Sequence, residues 1–138
     1  MSNPAVDVAL VNLVRNDITV VSLVGNRVYA TQATQGAALP LVVYVRDEGD
    51  RRDNMMHMTG STGIVKATYS FSCIASTLLG SRNLARAVRR ALQYKRPTGI
   101  RLVRVVGDSD LTETPASGEQ LPTYRTDLAV EVTYVETI

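Results

Sequence analysis

Aromatic side chains are scarce in this chain of 138 residues, which holds one Phe, six Tyr and no Trp. A core so poor in large rings draws its burial from aliphatic side chains and is expected to be modest. Cysteine occurs once, at Cys73, which excludes an internal disulfide and any cysteine metal cluster. Histidine also occurs once, at His57. No run of about 18 apolar residues is present, and Met1-Ser2-Asn3-Pro4 opens neither a basic leader nor a cleavable apolar segment, so neither export nor membrane spanning is expected. There is no excess of one charge: 15 Lys+Arg against 13 Asp+Glu leave +2, too little for phosphate neutralisation to dominate binding. Nucleic acid is therefore not the expected partner. What remains, 45% hydrophobic and 20% charged residues, is the composition of one domain, residues 1–138. A chain of this length buries roughly 70% of its unfolded surface and needs no covalent staple.

The opening segment predicts a helix, with Ser2 or Asn3 as cap, Pro4 in the first turn and Asp7 near the positive end of the dipole. Val6, Ala9, Leu10, Leu13 and Val14 form one apolar stripe. Asn16-Asp17 breaks it and offers a cap for a short turn from Ile18 to Val24 closed by Gly25, although Ile18-Thr19-Val20-Val21 by propensity prefers a strand. Short strands follow at Arg27 to Thr31 and, after Pro40, at Leu41 to Arg46, the latter apolar enough for burial on both faces. Asp47 to Gly63 has no regular period and reads as a long loop. From Ile64 to Ala75 the period is two, with Val65, Ala67, Tyr69, Phe71, Cys73 and Ala75 on one side and Lys66, Thr68, Ser70 and Ser72 on the other. A helix capped by Ser76 or Thr77 runs to about Tyr94, burying Leu84, Ala87, Val88, Ala91 and Leu92, whose small alanines let it lie close on a sheet. Ile100 to Val106 predicts a strand ended by Gly107, residues 107–122 a second long polar loop, and Tyr124 to Val135 a final strand. The expected fold is α+β, a mostly antiparallel sheet packed by two main helices in the order α-(α)-β-β-β-α-β-β.

Little in the chain points to catalysis. His57 has three methionines for neighbours, not a carboxylate and a second imidazole, and reads as a loop or interface residue. Cys73, mid-strand on the apolar face, reads as a small hydrophobe. Gly60-Ser61-Thr62-Gly63 lacks the spacing and the lysine of a phosphate loop, and Asp108 with Asp110 opens like a calcium loop without its Gly and Glu. No metal or cofactor is implied. More informative are Arg82, Arg86, Arg89 and Arg90, on the helix face opposite the core. Such a row repels itself by several tenths of a kcal/mol unless counter-charges meet it. It is either a solvated outer face or a contact for carboxylates, which the arginine fork pairs well. A neighbouring copy presenting Asp47, Glu48 and Asp50, or Asp108, Asp110 and Glu113, would supply them. Met55, Met56 and Met58, with His57 and the preceding Arg51 and Arg52, either fold back over the core or dock a partner, since thioethers adapt their shape to a contact.

Taken in order, Val24-Gly25-Asn26-Arg27-Val28-Tyr29, Gln35-Gly36-Ala37-Ala38-Leu39-Pro40-Leu41-Val42-Val43-Tyr44, Phe71 to Ala75, Leu84-Ala85-Arg86-Ala87-Val88-Arg89-Arg90-Ala91-Leu92, and Tyr124-Arg125 with Leu128, Val130, Val132 and Tyr134 resemble the small tail-completion, or tail-terminator, proteins of long-tailed bacteriophages. The specificity lies in the order and spacing of these segments; the basic Tyr94 to Thr98 linker departs from the short acidic or glycine turn of many relatives. The resemblance implies a structural virion protein without catalytic residues. It implies a hexameric ring that caps the tail tube, stops its polymerisation and joins the neck of the filled head. Its partners are then further copies of the chain, the tail-tube protein and a neck or head-completion protein, with no membrane and no sequence-specific nucleic acid. The arginine row and the acidic loops become candidate subunit contacts, and Arg51, Arg52, Met55, Met56, His57 and Met58 candidate tube or neck contacts. A neck subunit, a small α+β enzyme using His57, and a ligand-binding module are the alternatives.

Overall fold

The computed structural model describes residues 4–31, 38–46, 51–53, 62–97, 100–113 and 123–137. Helix α1 (Pro4–Arg15) buries Val6, Leu10, Val11 and Val14, and Arg15 donates from Nη2 to the carbonyl of Val28 at 2.9 Å, tying the helix end to the sheet. Helix α2 (Ile18–Val24) forms in spite of its β-branched run. Asp17 Oδ1 accepts from the backbone N–H groups of Thr19 and Val20 at 3.0 and 3.1 Å. At the other end Gly25 takes a φ of 58°, a conformation only glycine adopts without strain. Two satisfied ends outweigh a weak strand preference over seven residues. Only Val20 and Val24 of this helix are buried, and Ile18 is 86% exposed.

Six strands make one sheet: β1 (Val28–Ala30), β2 (Leu41–Arg46), β3 (Arg51–Asp53), β4 (Thr62–Ala75), β5 (Ile100–Glu113) and β6 (Thr123–Thr137). The order is β1-β2-β4-β6-β5, with β3 also on β4; β1 and β2 are parallel and every other pair is antiparallel. The α+β reading holds. The period-two residues Val65, Ala67, Tyr69, Phe71, Cys73 and Ala75 are all buried, and so are Leu128, Val130, Val132 and Tyr134 opposite them. Helix α3 (Leu78–Leu92) crosses this face with Leu84, Ala87, Val88, Ala91 and Leu92 inward, as its spacing predicts. Thr77 caps it, accepting from Gly80 N–H at 3.0 Å. Tyr44 and Phe71, cross-strand partners, stack with ring centroids 5.8 Å apart, and the Tyr69 hydroxyl donates to Asp7 of α1.

Three boundaries differ from the sequence reading. Residues 51–53, inside the expected loop, pair with Lys66, Val65 and Ile64, and β4 begins at Thr62. Gly107 does not end β5, which continues to Glu113 through a register shift between Val105 and Gly107. The physical reason is β6, whose fifteen residues offer a hydrogen-bonding edge long enough to hold a polar segment of low strand propensity.

Candidate assembly surface

Helix α3 presents Arg82, Arg86, Arg89 and Arg90 outward, and all four are exposed. The extension of β5 brings acid to this row within the same chain. Asp110 Oδ2 accepts from Arg82 Nη2 at 2.8 Å and Nε at 3.2 Å, while Asp110 Oδ1 lies 2.9 Å from Thr126 Oγ1. Thr126 Oγ1 is also 3.2 Å from Ser81 Oγ, which donates to the carbonyl of Leu78. With one hydrogen to give, the Thr126 hydroxyl gives it to the charged acceptor. The hydrogen bond from Arg82, then that from Thr126, holds the Asp110 carboxyl below its ordinary range. Ser81 and Thr126 are the buried polar residues of the described core, so the network satisfies groups that burial would otherwise penalise.

Asp110 and Arg82, which the sequence reading sets on facing surfaces of neighbouring copies, thus meet inside one chain. Asp108 lines the same groove between α3 and β5, a space of about 300 Å³ that Arg86 and Arg89 also line. Among the described residues, Arg86, Arg89 and Arg90 have no ion-pair partner. The backbone places Arg51 and Arg52 on β3 and Glu113 on β5. Asp47, Glu48, Asp50, Met55, Met56, His57 and Met58 lie outside the described residues.

One signal escapes a reading based on net charge. Between Asp53 and Asp108 there is no acidic residue, yet nine of the fifteen Lys and Arg residues fall there, leaving six for the rest of the chain with all thirteen acids. All nine are exposed: Lys66, the four arginines of α3, Lys95 and Arg96 after it, and Arg101 and Arg104 on β5. The +2 total conceals a strongly basic piece and a strongly acidic remainder. Exposed and rich in arginine, this surface has the character of a contact. Among the described residues no three His, Cys, Asp or Glu side chains gather where they would hold a metal ion. Cys73 is buried, and burial first, then the nearby negative charge of Asp127, pushes its thiol above the usual range, away from the reactive thiolate. Thr62 and Gly63 are β4 residues paired with Thr137 and Glu136, which removes the second half of the glycine-bounded motif from any phosphate loop. No helix among the described residues is long and apolar enough to cross a membrane.

The family model described as "Tail completion protein gp17" matches residues 8–134. The chain belongs to that family. A tail completion protein is a structural component of the phage particle and acts there with other proteins of the assembly. The fold agrees: a chain of the structure "Virion of native gene transfer agent (GTA) particle" superposes with a TM-score of 0.68, covering 94% of this chain and 93% of that one at 18% identity. At that identity the likeness speaks for the fold. No curated protein matches the sequence.

Proposed function

We propose that this tail completion protein caps the finished tail tube as a homo-hexameric ring, ends tube polymerisation and provides the surface to which the neck of the filled head attaches. The family match over residues 8–134 carries this reading. Stopping a polymer requires only that one ring face match the tube end while the other cannot accept another ring of tube subunits. That is work for surfaces, and the split charge of the chain suits it. A closed ring joins two different faces of neighbouring copies. The exposed Arg86, Arg89 and Arg90 supply one, together with Arg82 beside its own Asp110 and Asp108. The acid-bearing segment with Asp47, Glu48 and Asp50, or Glu113 near the end of β5, supplies the other. Arg51, Arg52, Met55, Met56, His57 and Met58 then remain for the tube or neck. The protein would sit at the tail end next to the neck, after assembly in the host cytoplasm, and no chemical step is assigned to it.

Tails assembled without the protein should be overlong or unable to join heads. Normal tail length and infectivity in its absence would sink the proposal. Capture by purified tail-tube protein separates the tail cap from a neck subunit, which would bind the portal side instead.

A further inference from the structure

Helix α3 divides the arginines of its outer row between two spaces. On the β5 side Arg82 holds Asp110, and the groove there carries Asp108 as well. On its other side α3 packs against α2, and the two helices frame an open cleft of about 330 Å³ lined by Thr19, Asn83, Arg86, Ala87 and Arg90. No carboxylate is in that lining. Arg86 borders both spaces, whereas Arg89 lines the β5 side and Arg90 the cleft. The acid closest to Thr19 along the chain is Asp17, and its Oδ1 accepts from the N–H groups of Thr19 and Val20 as the cap of α2.

Arg86 and Arg90 lie one helical turn apart, both exposed and without an ion-pair partner among the described residues. Like charges at that spacing repel each other, and nothing in the cleft offsets them. Ala87, buried between them, forms the floor, and its single methyl leaves room that a longer side chain would take. The amide of Asn83 and the hydroxyl of Thr19, one from each helix, add neutral donors to the two guanidinium forks.

We propose that this cleft binds one dianionic phosphate group, as inorganic phosphate or as a phosphate monoester. Charge and donor number select it. A carboxylate is planar, carries one charge and is satisfied by a single arginine fork, which leaves the second arginine unmet. A phosphodiester likewise brings one charge and two free oxygens. A phosphate monoester carries close to two charges near neutral pH and three acceptor oxygens, enough to engage both forks and the donors beside them. The inference goes beyond the ring reading, which uses these arginines as part of a charged face and assigns the protein no small ligand.

The test titrates inorganic phosphate into the full chain at constant ionic strength, with binding read by calorimetry and by amide chemical shifts of α2 and α3. One phosphate per chain should bind saturably. Arg86→Gln and Arg90→Gln should each weaken it about tenfold or more, and Thr19→Val about threefold. Arg90→Lys, which keeps the charge and loses the fork, should recover only part of the loss. Arg89→Gln removes the same charge from the neighbouring position outside the cleft and should change affinity less than about twofold. If Arg89→Gln and Arg90→Gln weaken binding equally, the attraction is that of a general basic surface and the cleft assignment is wrong. Acetate competing as well as phosphate would give the cleft to carboxylates and overturn the proposal. So would a short DNA duplex that binds through Arg86 and Arg90 when inorganic phosphate does not, since the occupant would then be a phosphodiester backbone. Native mass spectrometry scores assembly separately: a parent that forms rings and binds no phosphate overturns the cleft and leaves the ring reading standing.

Discussion

The hydrogen bond from Tyr69 to Asp7 joins the first helix to the middle of the sheet across 62 residues, and its removal by Tyr69→Phe is a sensitive test of how α1 is held. Tyr69 is 2% exposed, so the phenol ring stays packed in the variant and only the hydroxyl is lost. A hydrogen bond to a charged acceptor contributes roughly 1.5–3 kcal/mol. At about 2.1 cal/mol/K per residue, a domain of this size unfolds with an entropy near 0.3 kcal/mol/K, so Tm should fall by roughly 5–10 °C. Asp7→Asn should cost a similar amount plus about 0.3–1 kcal/mol, because the carboxylate also faces the positive end of the α1 dipole. The double variant isolates the pair, since neighbours in one hydrogen bond do not add. Urea unfolding of all four proteins gives the coupling energy directly. A Tm shift under about 2 °C for Tyr69→Phe, or a coupling under about 0.3 kcal/mol, would refute the view that this bond anchors the helix.

Phe71→Ala removes a fully buried ring and its stack with Tyr44, and should cost about 3–5 kcal/mol in chemical unfolding; a loss below about 1 kcal/mol would mean the site collapses without a cavity. Asp110 has a folded-state pKa below its ordinary value, so its contribution to stability is present above that ordinary value and disappears as pH falls through the folded one. Melting curves should show this acid loss in the parent and a flatter profile in Arg82→Ala, and identical profiles would show that the pair does not matter. Cys73 should resist thiol reagents in the native state at pH 8 and react on unfolding, and rapid native labelling would contradict its burial.

Where one face of an element is buried and the other wet, its residues announce it: the alternation from Val65 to Ala75 and the stripe of α3 are legible because each follows from a single period. Strand β5 is not, for two reasons. The extra residue Val106 breaks the alternation midway, and Gly107-Asp108-Ser109-Asp110 has the composition of a turn while β6 supplies the pairing that keeps it extended. Strand β3, Arg51-Arg52-Asp53, is too short to show a period, and what places it is its pairing with Lys66, Val65 and Ile64 of β4. In the candidate surface the arginine row was legible and its nearest acid was too, but not that Arg82 and Asp110, 28 residues apart, meet in one chain. The acid-free stretch was there to be read, and net charge averaged it away.

The pairing of β4 with β6 runs without interruption from Thr62–Thr137 to Ala75–Tyr124, so the middle of the sheet joins strands between which the chain must also form α3 and β5. Contacts so distant along the chain form late, because the loop they close must be ordered first. During synthesis the helices and β4 emerge with an open flank, and the sheet has no centre until β6 is made. A chain cut short before Thr123 is therefore no smaller version of the protein. It lacks the strand that pairs with both β4 and β5, and such a fragment should show no cooperative unfolding transition where the full chain does.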